Sequence, residues 1–426
     1  MAATATTSRT GWRVWLVTDV YPPGCGGSGW STHALARVLR DRGHRVSVIG
    51  TDPSHSSVRE RRYEDIEIAE IGMQAAHRDP RRRLGARDYS YRVLRDYLET
   101  RLRREPDVDI LHAQHLHSGP PAIDVGRAQG RATVVTLRDY WPVCLHGTSW
   151  WGSTTCDGCS TANLTSCMQE YWKWPRPLAR LMVGWARRRL DARQAGVRAA
   201  HAVIAVSYAA RQRIERDLSG TTVSVVPNMV DPALLEATAA AAPETDAESP
   251  YLLTAGKLQP TKGFNLLLDA LAEVGSLMPV LIAGDGPMRR ALEEQARALR
   301  VPARFLGWVD HDRLVRLQKD AHAVVLPSAW DEPLSRIVLE TMALGVPVVA
   351  WARGGNPEMI EPGVSGWLVR RAEDLARAMG ELASPDRRQE VALGAKRRIA
   401  SRYAPDVVYP AVAAAYEAAL ERAGRR

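Results

Sequence analysis

PSAWDEPLSRIVLETMALGVPVV, residues Pro327–Val349, decides how the chain is read. It opens with a loop over 327–333. Ile337, Val338, Leu339, Met342 and Ala343 then recur at helical spacing, predicting a helix from about Leu334 to Leu344. Gly345 and Pro347 end it, and Val346–Ala350 reads as the next buried strand. Glu332 and Glu340 are two carboxylates with seven residues between them. A start near Leu334 sets Glu332 just before the helix and Glu340 a turn and a half inside. At roughly 1.5 Å of rise per residue they stand on the order of 12 Å apart. The free amides of Ser335, Arg336 and Ile337 lie between them at the positive end of the helix dipole, an anion site. A diphosphate with a sugar on one side and a ribose on the other fits this arrangement. A plain helix with an acidic first turn fits the same letters.

Outward from this stretch, strand and helix patterns alternate. In the second half the strands are Tyr251–Ala255, Val280–Ala283, Ala303–Leu306, Ala323–Leu326, Val346–Ala350 and Trp367–Val369. In the first half they are Trp12–Thr18, Val46–Gly50, Asp109–His112, Thr133–Leu137, Ala202–Val206 and Val223–Val226. A Pro/Gly loop, Tyr21–Gly29, and an amphipathic helix, Trp30–Arg42, separate the first two strands. This order predicts an α/β protein of two Rossmann-like, doubly wound domains facing across a cleft. The expected limits are 11–235 for the first domain, with an insertion at 141–170, then a solvated linker at 236–250. The second domain takes 251–404, and a last helix lies in 405–426. His112, His115 and His117 cluster near the C-terminal end of a strand, the edge at which parallel sheets bind ligands.

The Pro327–Val349 stretch is similar to the donor-binding signature of glycosyltransferase family 4, retaining enzymes of the GT-B fold. Gly256-Lys257-Leu258 with Lys262-Gly263 resembles the family's basic pair for the diphosphate. LIAGDGP, Leu281–Pro287, and FLGWV, Phe305–Val309, resemble the strand ends around the nucleobase. Pro227-Asn228-Met229-Val230-Asp231 resembles the end of the first domain. Gly26-Gly27 and Asp139-Tyr140-Trp141 resemble first-domain elements of one branch. The chain departs from the pattern at three places. Arg138 stands where His is usual before Asp139, Gln114 where His is common two residues after His112, and Leu334-Ser335 where Phe-Gly is usual.

The resemblance implies a nucleotide-diphosphate sugar donor and transfer to an acceptor hydroxyl with retained configuration. The acceptor is a glycan, lipid-linked or small-molecule hydroxyl. Glu340 is expected on the ribose hydroxyls and Glu332 on the transferred sugar. Lys257, Lys262 and the amides from Leu334, Ser335 and Arg336 would hold the diphosphate, with Gly26 and Gly27 approaching from the other domain. Gly284 and Val309 would border the nucleobase. His115 or His117, with Asp139, would face the acceptor. The last helix would pack back on the first domain. No cofactor is required for transfer.

Composition narrows the classes further. There are 57 Lys and Arg against 48 Asp and Glu, a net charge of +9, which suits an anionic partner. An Arg-rich composition accounts for the same number. No nucleic-acid reader motif is visible, so no nucleic acid is expected. No apolar run approaches a membrane span and Met1–Thr10 is polar and small, so a cytoplasmic enzyme is expected. Trp172–Leu190 mixes aromatics with arginines at helical spacing, so it suits either peripheral membrane contact or packing on the first domain.

Cys144, Cys156, Cys159 and Cys167 lie within 24 residues. Four thiolates are a full set for structural zinc. The intervening residues look too polar to form a core, so a metal is the expected source of order there. Free thiols or a redox-active CxxC are the alternatives. Two DxD strings, Asp107–Asp109 and Asp310–Asp312, read as a strand start and a helix cap rather than a metal pair. Gly24, Gly26 and Gly29 spell a dinucleotide fingerprint, but Tyr21, Pro22 and Pro23 separate them from the strand, where that motif needs a tight turn. The rival readings are a sugar-nucleotide epimerase of the same fold and a dinucleotide-dependent oxidoreductase.

Overall fold

The computed structural model describes residues 11–74, 86–151, 154–244 and 250–425. Residues 1–10, part of the basic stretch (78–85) and part of the expected linker (245–249) lie outside the described residues. The first sheet contains β1 (Arg13–Val17), β2 (Arg45–Asp52), β3 (Val58–Tyr63), β4 (Ile66–Gly72), β5 (Ile110–Ala113) and β6 (Ala132–Leu137). A separate hairpin, β7 (Trp150–Trp151) and β8 (Thr154–Thr155), follows, and β9 (Ala202–Ala205) and β10 (Val223–Val225) complete the sheet. Its order is β10-β9-β6-β5-β1-β2-β4-β3, parallel throughout except for the antiparallel β3–β4 pair. The second sheet contains β11 (Leu252–Ala255), β12 (Val280–Ala283), β13 (Ala303–Gly307), β14 (Ala323–Leu326), β15 (Val348–Trp351) and β16 (Trp367–Val369). Its order is β13-β12-β11-β14-β15-β16, parallel throughout.

The strands are short apolar runs such as VLIA and AVVL, buried along their whole length. Helices cover both faces, as parallel sheets require, and each sheet has one apolar core on either side. In each sheet the chain order reverses beside the first strand. β1 lies between β2 and β5, and β11 between β12 and β14. Ligands of such sheets bind outside the strand ends at these two points. The helix Pro405–Arg422 packs on the first sheet. Its Val408, Val412 and Tyr416 are buried with Val14 and Leu16, and the Tyr416 hydroxyl meets His112 Nδ1 at 2.8 Å.

Four local expectations are corrected. The helix of the opening stretch runs Arg336–Ala343, because Leu334 turns into the second core and Ser335 is an extended N-cap. The helix after β1 starts at Gly27, not Trp30, so Gly27–Gly29 form its first turn. A side chain at Gly29 would meet Cys25 Sγ at 2.4 Å, so that turn closes tightly on the preceding loop. The linker expected from 236 begins inside a helix, Pro232–Ala241, capped by Asp231, with Leu235 and Ala239 buried. Trp172–Leu190 is not one helix: Lys173 at φ 56° and Pro175 split it into Thr161–Trp172, Arg176–Leu181 and Val183–Ala199.

The segment after Asp139 is also less polar in space than in sequence. Tyr140, Trp141 and Val143 enter the first-domain core, and Trp150 is 8% exposed. Leu145, Leu164, Met168, Ala179 and Leu190 make a small core of their own, over which Trp172, Trp174 and Trp185 pack. Arg193, 6% exposed, threads its guanidinium into the turn and donates to the carbonyls of Trp141, Cys144 and Leu145 at 3.1, 3.0 and 3.3 Å. Burial and one buried cation thus pack the described part of this segment. Arg193→Ala is expected to cost about 2–3 kcal/mol in denaturant unfolding, the scale of charge-assisted hydrogen bonds, and to open 141–172 to limited proteolysis. Unchanged stability and cleavage would remove Arg193 from this role.

Candidate functional site

Four loops leave the two reversal points, and they carry most of the residues singled out in the sequence. Gly26 and Gly27 follow β1, and His115 and His117 follow β5. Lys257 and Lys262 follow β11, and Glu332, Leu334, Ser335 and Arg336 follow β14. Asp139 follows β6, just before the inserted segment.

On the second-domain side both carboxylates are engaged. Lys262 Nζ donates to both Glu332 oxygens at 2.9 and 2.7 Å, and Ser328 and the Trp330 indole each donate at 3.0 Å. Burial pushes the Glu332 carboxyl up, but Lys262 and these donors bring it below its ordinary value. Glu340, 3% exposed, accepts from Arg336 Nε at 2.7 Å and meets His311 Nε2 at 3.0 Å. Burial opposes its charge, yet Arg336 and His311 hold it down to about 2. The first-turn amides of the Arg336–Ala343 helix lie between the two carboxylates in the chain.

Backbone closeness sets these loops. Gly263 has φ 67°, and a Cβ there would stand 2.0 Å from Pro327 O. Gly284 has φ 136°, and a Cβ there would stand 2.0 Å from Gly256 O. Only glycine lets the loops after β11, β12 and β14 touch main chain to main chain, which seats Lys262 against Glu332. Lys257 is exposed at the same edge. Val309 packs partly buried on the second core. Leu334 is buried there, so only its backbone is offered to a ligand.

The first domain meets this edge directly. Trp30 stacks on His311 with centroids 3.8 Å apart, and a Cβ on Gly27 would lie 3.2 Å from Arg336 Cβ. The Tyr140 hydroxyl donates to Asp331 O at 2.8 Å, and Thr155 Oγ1 to Asp331 Oδ2 at 2.9 Å. Glu358 accepts from the amides of Tyr208 and Ala209 at 2.9 and 2.7 Å. A cavity of about 930 Å³ lies between the domains beside this seam, lined by Trp30, Arg37, Tyr63, Leu234, His311 and Arg336 among others. It borders Glu340's partners but touches neither Glu332 nor Lys262.

On the first-domain side Asp19 is the organising group. Its carboxylate accepts from the amides of His117 and Ser118 at 3.0 and 2.7 Å. His115 Nδ1 lies 3.0 Å from Thr18 Oγ1. Burial lowers the His115 imidazole to about 4, partly offset by Asp19. His117 is exposed. Burial raises the Asp139 carboxyl to about 6, although the Trp141 amide donates to it at 2.7 Å. His112 is buried between Thr136 and Tyr416 and falls to about 3.

Sequence reasoning missed Asp19, His311, Trp330 and Ser328. Asp19 follows a buried strand at a reversal point, which was a usable signal. His311 had none, because its role depends on Trp30 and Glu340, hundreds of residues or a whole strand–helix unit away. Asp310 caps the His311–Asp320 helix through the Arg313 amide, and Asp109 accepts from the Arg13 amide.

The four cysteines gather in one region, and Cys144, Cys159 and Cys156 all bear on Cys167. Burial pushes the Cys159 thiol up to about 12 and raises those of Cys156 and Cys167. Among the described residues no three of the four sulfurs come within 4.8 Å of one another, wider than the spacing of an assembled tetrahedral set. Among the described residues, the group at ligand spacing is Asp52, His55 and Glu70, in another part of the first domain.

A family profile described as Glycosyltransferase Family 4 matches residues 25–234, and one described as Glycosyl transferases group 1 matches 236–398. An uncharacterized glycosyltransferase of Methanocaldococcus jannaschii is 33% identical over 181 residues, 41% of this chain and 46% of that protein. Alpha-D-kanosaminyltransferase of Streptomyces kanamyceticus is 32% identical over 164 residues, 37% of this chain and 42% of that protein. The chain thus spans less than half the length of these curated relatives. Sucrose-phosphate synthase from Thermosynechococcus elongatus superposes with a TM-score of 0.66 at 20% identity, over 95% of this chain and 98% of that one. Anabaena HepE in complex with UDP and glucose gives 0.65 at 18% identity, over 95% and 99%. At those identities the likeness concerns the fold.

Titration at this edge has a sign. His112 and His115 have folded values near 3 and 4 against an ordinary 6.5, so the unfolded chain binds more protons between them. Their stabilisation is complete above 6.5 and is lost as pH falls toward 3. Asp139 acts oppositely between about 6 and 3.8, where its folded form holds the extra proton. At these three groups two losses against one gain contribute a fall of about 1.4 kcal/mol per pH unit from 6 to 4. Denaturant unfolding of the unaltered protein and of His112→Gln at pH 7, 5.5 and 4.5 isolates one of them: the variant should show the shallower slope. An unchanged slope in that variant would contradict a buried neutral His112.

Proposed function

The chain belongs to glycosyltransferase family 4, and from that premise we propose that it moves a sugar from a nucleotide-diphosphate donor to an acceptor hydroxyl with retention of configuration. The observation that carries this reading is the charge arrangement around the Arg336–Ala343 helix. The half-buried Glu332 and the buried Glu340 stand on either side of its first-turn amides in the chain, and each is already matched to a cation from another segment or turn. A diphosphate placed at the helix amides takes Lys262 as a partner and leaves Glu332 free to accept from hydroxyls of the sugar. Glu340, held ionised, accepts from the ribose hydroxyls as Arg336 turns toward phosphate. The helix amides with Lys262 and Lys257 stabilise charge developing on the leaving diphosphate.

Retention follows when the acceptor attacks the face from which the diphosphate leaves. The departing phosphate oxygen takes the acceptor proton, so no protein nucleophile is needed. Asp19, His115, His117 and Asp139 border the acceptor side. Asp139, with its value near 6, accepts a hydroxyl hydrogen bond when ionised and donates one when protonated. The UDP named with Anabaena HepE supports uracil as the first donor base to test.

No described helix is long and apolar enough to cross a membrane. Leu178 and Leu181, 41% and 79% exposed, sit with Arg180 on the Arg176–Leu181 helix, and they support peripheral contact with an anionic membrane. Sedimentation with vesicles containing anionic lipid at low salt should carry the protein down, and Leu178→Ser with Leu181→Ser should leave it in solution. Absence of sedimentation of the unaltered protein counts against a lipid-linked acceptor.

Glu340→Gln should raise the donor KM or Kd by roughly 10–100-fold, the scale of one charged hydrogen-bond acceptor, with a smaller effect on kcat. Glu332→Gln should act mainly on kcat. Lys262→Ala should weaken a nucleoside diphosphate far more than the nucleoside, because only the former carries the phosphates. Calorimetry and initial rates decide; equal losses for nucleoside and diphosphate would place Lys262 away from the phosphates.

A further inference from the structure

Arg138 and Gln114 are the two first-domain positions at which the sequence leaves the family pattern, and the structure joins them. Arg138 Nη2 donates to Gln114 Oε1 at 2.7 Å, and Nη1 donates to Asn228 Oδ1. Both acceptors are neutral amides, and Gln114 is fully buried. Arg138 Nε has no partner, and neither has Gln114 Nε2 or the neighbouring His115 Nε2. A buried cluster with donors to spare and no acceptor for them is incomplete as it stands.

Charge tells the same story. Among the described residues no carboxylate acts on Arg138, and the other charge that does is a second cation, Arg336. Burial, with Arg336 beside it, lowers the Arg138 guanidinium to about 9. A guanidinium with its Nε buried is ordinarily paired with an acid. The Asp139 carboxyl next to it in sequence answers instead to the Trp141 amide, Asp19 and Arg193. Arg138 remains partly exposed at the C-terminal edge of the first sheet, and it acts electrostatically on His115 on one side while Arg336 acts on it from the other. Its partner Asn228 adjoins Met229, whose carbonyl accepts from Arg336 Nη1 at 3.4 Å, so Arg138 stands between the loop that carries Gln114 and His115 and the Arg336 helix, where the reading above places the transferred sugar.

We propose that Arg138 is a specificity residue that binds a carboxylate on the transferred sugar, so that the donor is a nucleotide-linked acidic sugar. The inference rests on the glycosyltransferase reading. The guanidinium offers five N–H groups in a planar fork, of which two are used, and a carboxylate is the planar anion that matches it. A carboxylate would also accept from Gln114 once that side chain turns. The diphosphate is the other anion at hand. Lys262, Lys257 and the Arg336–Ala343 helix already face it from the second domain, whereas Arg138 belongs to the first.

The test begins with thermal shifts of the unaltered protein with UDP, GDP, ADP and dTDP. No shift with any of them sinks the donor reading itself. With the base so chosen, the sugar nucleotide bearing a uronic acid is compared with its neutral counterpart, UDP-glucuronate against UDP-glucose or GDP-mannuronate against GDP-mannose. The acidic sugar should bind about 10–100-fold tighter, the scale of a charged bidentate pair. Arg138→Gln should erase that difference while leaving affinity for the nucleoside diphosphate unchanged. Arg138→Lys, which keeps the charge without the fork, should retain part of it. Equal or tighter binding of the neutral sugar by the unaltered protein overturns the proposal, whether or not the variants fold. Equal loss of nucleoside diphosphate affinity in Arg138→Gln assigns the cation to the diphosphate and overturns it as well.

Discussion

A carboxylate can be buried and stay ionised only beside a cation or several hydrogen-bond donors, and the second domain is arranged around two such carboxylates. Glu332 is held by Lys262, Ser328 and Trp330; Glu340 is held by Arg336 and His311. Lys262 reaches Glu332 because the loops after β11 and β14 touch at Gly263 and Pro327. His311 reaches Glu340 from the helix after β13, and Trp30 of the first domain stacks on it. The same pairs that satisfy the buried charges therefore tie three loops of one sheet and one helix of the other into a single edge.

The two sides of that edge differ in how complete they are. On the second-domain side every buried carboxylate has its cation within 3.0 Å. On the first-domain side Arg138, Gln114 and His115 retain donors without acceptors, and burial raises the half-buried Asp139 carboxyl. Satisfied ion pairs hold a geometry in readiness, because a polyanionic ligand exchanges one partner for another at little net cost. Unsatisfied donors mark where a ligand supplies what the protein lacks.

The inserted segment after Asp139 shows how letters mislead about order. Gly147–Thr155 reads as too polar for a core, yet Trp150 is buried, and Leu145 joins Leu164 and Met168 of a later helix. Arg193, some fifty residues on, seals the turn by donating to three carbonyls. Neither contact leaves a periodic signal, since the partners are single residues from separate elements. The break of Trp172–Leu190 was visible in principle, because Pro175 cannot continue a helix. The expected linker begins inside a helix for the opposite reason: its first alanines suit a helix, and Asp231 supplies the cap.

The sequence alone determined the two-layered alternation, the strands and the edge at which function lies. Short apolar runs separated by amphipathic helices can bury themselves only as parallel sheets covered on both faces. Parallel connection places every strand's C-terminal end, and so every following loop, on one side. Glu332, Glu340, Lys262, His115 and Asp139 were legible for that reason, each lying just past a strand end or in the helix that follows. Which of them touch, and with what, was decided by tertiary structure. The pairing of Glu340 with His311, of Arg138 with Gln114 and Asn228, and of Asp19 with the amides of His117 and Ser118 joins elements far apart in the chain. Distances of a few ångströms across two sheets depend on twist, crossover packing and the approach of the domains, and no local pattern of residues encodes them.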